Sequence, residues 1–114
     1  MVWCPKYRRK VLTGEVVDEL RLLLYQKAQE LDVKIESLEI MPDHIHLFIE
    51  SDPTEAPQRL ANQFKGYTSH MLRLKFPQLK SRLPSMWSRS YYVGSIGHVS
   101  EEAIKQYIET QKLS

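Results

Sequence analysis

The sequence has one cysteine, Cys4, and no apolar run that approaches the ~20 residues a membrane span requires. A lone cysteine cannot form an internal disulfide, which favours a reducing, cytoplasmic location. The amino terminus turns polar and basic within six residues, so we expect no signal peptide. Strong charge of one sign is also missing: a net charge of +2 over 114 residues excludes a globally basic nucleic-acid coat. Any nucleic-acid binding must come from local basic patches.

Hydrophobic residues make up 42% of the chain, enough for the core of a single domain spanning residues 1–114. A 3.6-residue apolar period predicts helices over 15–31 and 57–75. Alternating apolar and polar residues predict four strands, which lie at 2–12, 34–40, 44–51 and 86–93. The basic, proline-marked stretch 77–85 is predicted to be a loop.

The order strand, helix, strand, strand, helix, strand predicts an α+β fold of the ferredoxin-like βαββαβ type. We expect a four-stranded antiparallel sheet with two helices on one face and the first and third strands at its centre. Beyond the fourth strand, Gly94 and Gly97 predict a hinge, and Ser100 can cap an extra C-terminal helix over 103–112.

Two histidines, His44 and His46, lie two residues apart in the predicted third strand. Residues i and i+2 of a strand share a face, so both imidazoles can point at one spot while Ile45, Leu47 and Ile49 point into the core. Two adjacent imidazoles can supply two of the ligands of a metal site. The alternative is two ordinary strand histidines, one packed and one hydrogen bonded, and the His-x-His spacing alone favours that alternative.

The C-terminal helix carries Tyr107 and Gln111 one turn apart, on the same stripe as Ile104 and Ile108. Only the open face of the sheet is left for this stripe to pack against, which would bring a phenol and an amide oxygen to the histidines. Two imidazoles and an amide oxygen can hold a metal that keeps positions open for a substrate oxygen. A tyrosine beside such a metal indicates a metal-dependent DNA strand transferase; the alternative is a packed tyrosine and a capped glutamine.

Four segments, in this order along the chain, resemble those of the small single-tyrosine HUH transposases of the IS200/IS605 type: VWCPKYRRKVL at 2–12, MPDHIHL at 41–47, WSRSYYVG at 87–94 and the stretch 99–111. These enzymes move bacterial and archaeal insertion sequences as single-stranded DNA. Two positions depart from the family, which often has asparagine in place of Thr110 and glycine in place of His98. The family usually has a few more residues before Val2, so we expect that the start is trimmed.

The resemblance implies that His44, His46 and Gln111 bind a divalent metal, Mg²⁺ or Mn²⁺, and that Tyr107 is the catalytic nucleophile. Attack by Tyr107 would form a 5′-phosphotyrosine and free a 3′-hydroxyl. The resemblance also implies a homodimer whose sheets join and whose tyrosine helix can be donated across the dimer. The substrate would be single-stranded DNA with hairpins near the element ends, with no membrane and no small-molecule substrate.

Basic and aromatic residues near the ends of the predicted strands and on the second helix are candidate DNA contacts. Arginine and lysine can neutralise phosphates, and aromatic rings can stack on unpaired bases. The candidates are Tyr7, Arg8, Arg9, Lys65 and Arg89. The alternative is that these side chains are ordinary solvated surface residues.

Three other functions stay open. The chain could be a domesticated relative that processes repeated chromosomal hairpins. It could instead be a non-catalytic module that binds single-stranded nucleic acid on its open sheet, although such a module has no use for a tyrosine and a glutamine one turn apart. A structural zinc protein is disfavoured by the single cysteine and the scattered histidines.

Overall fold

The computed structural model describes residues 1–94 and 101–113, the last two of them by backbone alone. The described residues form three strands, four helices and two short 3₁₀ turns. The elements are β1 (Val2–Trp3), a 3₁₀ turn (Lys6–Arg8), α1 (Glu15–Glu30), β2 (Lys34–Met41), β3 (His44–Glu50), α2 (Pro57–Lys75), α3 (Pro77–Arg82), α4 (Glu101–Glu109) and a 3₁₀ turn (Thr110–Leu113).

The sheet is antiparallel, with the strands in the order β1-β3-β2. On one face, Ile45 and Leu47 of β3 are fully buried in the main core. Leu20 of α1 and Phe64 of α2 belong to the same core, so both helices cover this face, as predicted. The predicted α1, α2, β2 and β3 agree with the structure to within one residue at each end.

The first strand is much shorter than predicted, because the 2–12 strand ends at Trp3. Pro5 has no N–H to donate to a sheet ladder. Tyr7 and Arg8 then adopt left-handed backbone conformations, with φ of 59° and 52°. These angles are incompatible with an extended strand, so the basic residues lie in a turn at the edge of the sheet.

The prediction of a regular fourth strand over residues 86–93 is also wrong. This stretch meets β1 and the residues after it through two isolated bridges, Pro5 to Trp87 and Val2 to Tyr92. The two bridges are three residues apart in the first segment, from Val2 to Pro5, and five residues apart in the second, from Trp87 to Tyr92. The second segment therefore carries two extra residues between the bridges. The predicted four-stranded sheet is therefore three-stranded in the described residues, with an irregular run, here called the edge segment (86–93), beside β1.

A buried tryptophan ties the edge segment to the helices. Trp87 packs edge-on against Trp3, with ring centroids 6.0 Å apart, and its indole N–H donates to Thr68 Oγ1 of α2 at 3.0 Å. The position of the edge segment is thus set by the core on its inner side.

Residues 77–85, predicted as a loop, include the short helix α3. Pro77 occupies its first turn, where a missing N–H costs nothing, and Leu79 buries the helix against the core. Of the predicted hinge, Gly97 lies outside the described residues, as does the predicted cap Ser100. No helix within 1–94 or 101–113 has the length and apolarity needed to cross a membrane.

Replacing Phe64 by alanine should lower the free energy of unfolding by about 3–5 kcal/mol, because the ring is fully buried in the main core. Urea denaturation measures this loss. The matched control is Leu22→Ala, on a side chain of α1 that is 52% exposed, where we expect a change below about 1 kcal/mol. Equal losses for the two variants would contradict this account of the core.

Candidate active site

The two histidines of β3 lie on the sheet face opposite the main core. Strand alternation puts His44 and His46 on one side, since Ile45 and Leu47 are buried on the other. His44 Nδ1 lies 2.9 Å from Oδ1 of Asp43. A carboxylate at Nδ1 favours the tautomer that carries its hydrogen there, which leaves Nε2 with a free lone pair. Metal-binding histidines usually have such a carboxylate or carbonyl at the ring nitrogen that does not face the metal.

His46 is held by a ring contact and is favoured in its neutral form. Its imidazole lies 4.6 Å from the ring of Phe48, the next residue on the same face. Burial lowers the pKa of His46 below its ordinary value. A lowered pKa means that the imidazole is uncharged at neutral pH, with a lone pair free for a ligand.

A row of side chains crosses this face from the histidines to the edge segment. The register pairs His46 with Val2 and Val2 with Tyr92, and residues directly opposite each other share a face. The ring of Tyr107 lies 6.0 Å from that of Tyr92. Strands are ~4.8 Å apart, so Tyr92 and His46 are separated by about 10 Å of backbone. Helix α4 therefore lies over the same sheet face as the histidines, at the edge-segment end of the row.

Ser90 of the edge segment binds Tyr107 of α4 and Gln111 of the 3₁₀ turn that follows this helix. Its Oγ donates to Gln111 Oε1 at 2.8 Å and lies 3.2 Å from the Tyr107 hydroxyl. Serine has one hydrogen, which Gln111 receives, so Tyr107 is the donor in the second hydrogen bond. The amide nitrogen of Gln111 donates to Thr110 Oγ1 at 3.1 Å, and Gln111 is only 5% exposed.

The predicted pair Tyr107 and Gln111 is thus brought together, but by a serine that we did not select from the sequence. The signal was present in the chain: Ser90 and Tyr92 alternate with Arg89 and Tyr91, so a strand pattern puts them on one face. The loss of regular strand geometry does not remove Ser90 from the face on which α4 lies.

Arg8 connects the histidine end of the face to α4. Its Nε lies 3.4 Å from Oδ2 of Asp43, the carboxylate that also meets His44. Its Nη1 donates to the carbonyl oxygen of Ile108 at 3.4 Å and lies 3.3 Å from Oε1 of Glu109. The side chain is only 15% exposed. The guanidinium, a predicted DNA contact, is engaged within the protein.

Of the other four predicted DNA contacts, one is bound within the protein and three are exposed. Lys65 Nζ donates to three backbone carbonyls of the edge segment, those of residues 88, 89 and 90. Burial lowers the pKa of this lysine. Tyr7, Arg9 and Arg89 are exposed, and Tyr7 has Lys6 Nζ 5.1 Å from its ring centroid.

Tyr107 is the nucleophile expected from the resemblance, and its surroundings favour the protonated phenol. Burial raises its pKa above the ordinary value, although the hydrogen bond with Ser90 acts in the opposite direction. The phenol is therefore protonated at neutral pH, and its use as a nucleophile would require the loss of this proton. Burial also raises the pKa of the Cys4 thiol to about 12, which makes this cysteine unreactive.

No three histidine, cysteine, aspartate or glutamate side chains form a metal-binding group among the described residues. A metal bound by the two histidines would therefore draw on a different ligand type, such as the amide oxygen of Gln111. That oxygen accepts one hydrogen bond from Ser90 and has a second lone pair.

Comparison with known proteins identifies the family. The family model described as "Transposase IS200 like" matches residues 1–111. The chain is 34% identical over 113 residues to the ISDra2 transposase TnpA of Deinococcus radiodurans, a match that covers 97% of this chain and 81% of that protein. It is 30% identical over 118 residues to a transposase for the insertion sequence element IS200 from Salmonella typhimurium, which covers 99% of this chain and 78% of the relative.

The fold agrees with a solved structure as well. A crystal structure from Deinococcus radiodurans R1, named as that of a transposase, has a TM-score of 0.89 and 33% sequence identity to this chain. The superposition covers 99% of this chain and 88% of the other. Because the family match spans almost the whole chain and includes all of the site described above, the chain belongs to the IS200-like family of transposases.

Proposed function

We propose that this transposase cleaves and rejoins single-stranded DNA at hairpin-marked element ends, with Tyr107 as the nucleophile and a divalent metal as cofactor. The main support is that α4, which carries Tyr107 and leads into the 3₁₀ turn that carries Gln111, lies over the sheet face from which His44 and His46 project. A module that only binds nucleic acid needs neither a phenol nor an amide at this place.

In this proposal His44, His46 and Gln111 hold Mg²⁺ or Mn²⁺. The donor set fits such an ion, because Asp43 leaves Nε2 of His44 free, burial keeps His46 neutral, and the amide supplies an oxygen. A bound divalent metal would polarise the scissile phosphodiester as a Lewis acid.

The covalent step exchanges one phosphodiester bond for another. The Tyr107 oxygen attacks phosphorus as the phenol loses its proton, and the bond from phosphorus to the 3′ oxygen breaks. The departing oxygen takes up a proton and becomes a free 3′-hydroxyl, while the 5′ phosphate stays on the tyrosine. Because the phosphotyrosine keeps the energy of the broken bond, attack by a 3′-hydroxyl can rejoin DNA without ATP.

The distribution of charge supports DNA as the substrate. No aspartate or glutamate occurs between Glu55 and Glu101, whereas seven lysines and arginines do. Two of the seven form ion pairs within the protein, Arg59 with Glu55 and Lys75 with Glu19. The rest give this part of the chain a positive potential that attracts phosphates. We propose exposed Tyr7, Arg9 and Arg89 as DNA contacts, the arginines on phosphates and the tyrosine on an unpaired base.

Tyr107→Phe should bind hairpin DNA and form no covalent adduct, because it lacks the attacking oxygen. The assay is a denaturing gel with Mg²⁺ or Mn²⁺ and single-stranded DNA from the flanks of the encoding gene. The DNA carries its label at the 3′ end, so that the label stays with the 5′-phosphotyrosine fragment.

The matched control for this variant is Tyr25→Phe, which removes the hydroxyl of an exposed tyrosine on α1. It should form the adduct at the wild-type rate. An adduct of normal yield with Tyr107→Phe would exclude Tyr107 as the nucleophile, and binding without any adduct in the wild type would favour the non-catalytic alternative.

His44→Ala should lower metal-dependent cleavage by at least about 100-fold, because one of two imidazole ligands is lost. His70→Ala removes an exposed histidine from α2 and should leave the rate unchanged. The readout is the initial rate of cleavage as Mn²⁺ is titrated, with an EDTA-treated sample as the metal-free reference. Wild-type activity in His44→Ala would refute the metal assignment.

The protein should behave as a dimer in multi-angle light scattering at micromolar concentration. Within the described sheet, the eight-residue strand β2 has a strand neighbour on one side only, so its other edge is free to pair. Joining of two sheets was expected from the resemblance to the HUH transposases. A mass equal to one chain at this concentration would count against a site shared between subunits.

A further inference from the structure

The ammonium group of Lys65 is surrounded by three consecutive backbone carbonyls. Its distances are 2.8 Å to the oxygen of Ser88, 3.1 Å to that of Arg89 and 3.1 Å to that of Ser90. An ammonium has three donors, and all three are used here. Lys65 therefore has no hydrogen left for a DNA phosphate in this arrangement.

These carbonyls belong to the part of the edge segment that departs from strand geometry. Two extra residues between the bridges at Trp87 and Tyr92 take this stretch out of register with β1. Backbone carbonyls that leave a sheet ladder need other hydrogen-bond partners, either in the protein or in water. Lys65, reaching across from α2, supplies one cation for all three.

Ser90 is the residue at which this support reaches the active site. Its carbonyl is held by Lys65, and its hydroxyl bonds Tyr107 and Gln111. The backbone and the side chain of one residue thus join α2 to α4. A shift of this backbone moves the serine hydroxyl and, with it, both polar groups of the terminal helix.

The direction of the hydrogen bonds gives this support a chemical consequence. Because the hydrogen of Tyr107 points to Ser90, the position of the serine hydroxyl sets the orientation of the phenol oxygen toward an incoming phosphodiester. Nucleophilic displacement is sensitive to such placement, and an error of about 1 Å can cost about 100-fold in rate.

We propose that Lys65 is a positioning residue of the transposase, which fixes the backbone of residues 88–90 so that Ser90 orients Tyr107 and Gln111. This inference rests on the proposed function, in which Tyr107 attacks DNA. It replaces the expectation that Lys65 binds a phosphate, and the two roles predict different results.

The test compares Lys65→Met with Lys75→Met, which removes the same charge from the same helix at a lysine paired with Glu19. For each variant, single-turnover adduct formation is measured at saturating DNA, and the DNA dissociation constant is measured at two salt concentrations. We expect Lys65→Met to lower the rate about 10- to 100-fold and to leave the dissociation constant and its salt dependence unchanged. Lys75→Met should match the wild type.

A phosphate contact at Lys65 would give the opposite pattern. Its loss would weaken binding and reduce the salt dependence by about one counterion, with a normal rate once DNA is saturating. Lys65→Arg separates the two roles further, because arginine keeps the charge but its planar fork does not match three carbonyls that converge on one point. Recovery of wild-type behaviour by arginine would overturn the positioning role.

Ser90→Ala tests the same connection without removing a half-buried lysine. This variant should lose rate as Lys65→Met does, and the double variant should be no slower than the slower of the two single variants, because both act through one contact. Additive losses, or a faster rate in either single variant, would overturn the inference.

A measurement without DNA separates this inference from the proposed function. In the free protein, Lys65→Met and Ser90→Ala should each lower the hydrogen-exchange protection of α4 amides by about 10-fold relative to α1, whereas Lys75→Met should not. Unchanged protection in both variants would overturn the positioning role even if the wild type cleaves DNA. If the wild type forms no adduct while the two variants show this loss of protection, the proposed chemistry is overturned and the positioning of α4 stays supported.

Discussion

The hydroxyl of Ser90 is the contact on which the arrangement of the candidate active site depends. Helix α4 has no fully buried side chain among its residues Glu101–Glu109, so apolar packing alone fixes it weakly. Polar contacts do the rest: Ser90 holds Tyr107 and Gln111, and Arg8 holds the carbonyl of Ile108. Each such hydrogen bond contributes about 0.5–1.5 kcal/mol, so the helix is held in a defined place without being locked there. A nucleophile that must meet a large DNA substrate benefits from both properties.

The two ends of the site are also connected through charge. One carboxylate oxygen of Asp43 contacts His44, and the other forms an ion pair with Arg8. Arg8 also forms an ion pair with Glu109 at the end of α4. The guanidinium lies beside the last carbonyls of the helix, where the helix dipole is negative. The residue that orients a candidate metal ligand is therefore coupled to the helix that carries the nucleophile, through side chains that local sequence patterns would assign to the surface.

Much of the fold could be predicted from the chain because it is encoded by neighbours in sequence. The 3.6-residue period of α1 and α2 and the two-residue period of β3 are local patterns, and the burial of Ile45 and Leu47 follows from the latter. The errors occur where local propensity competes with non-local geometry. Residues 2–12 and 86–93 both alternate like strands, but Pro5, the left-handed Tyr7 and two extra residues before Tyr92 interrupt their pairing. A pattern of period two cannot reveal an interruption that only the partner strand defines.

The sequence by itself determined the chemistry that is available: two histidines on one strand face, and a tyrosine and a glutamine one turn apart on a helix. It also carried the motifs that resemble the HUH transposases, and the match to the IS200-like family agrees with them. Only the tertiary structure decided which side chains serve the site from outside these motifs. Lys65 and Ser90 are 25 residues apart, and Arg8 and Ile108 are 100 apart. A charged side chain has the same local pattern whether it faces water, a phosphate or three carbonyls, and its role is set by whatever the folded chain brings within hydrogen-bonding distance.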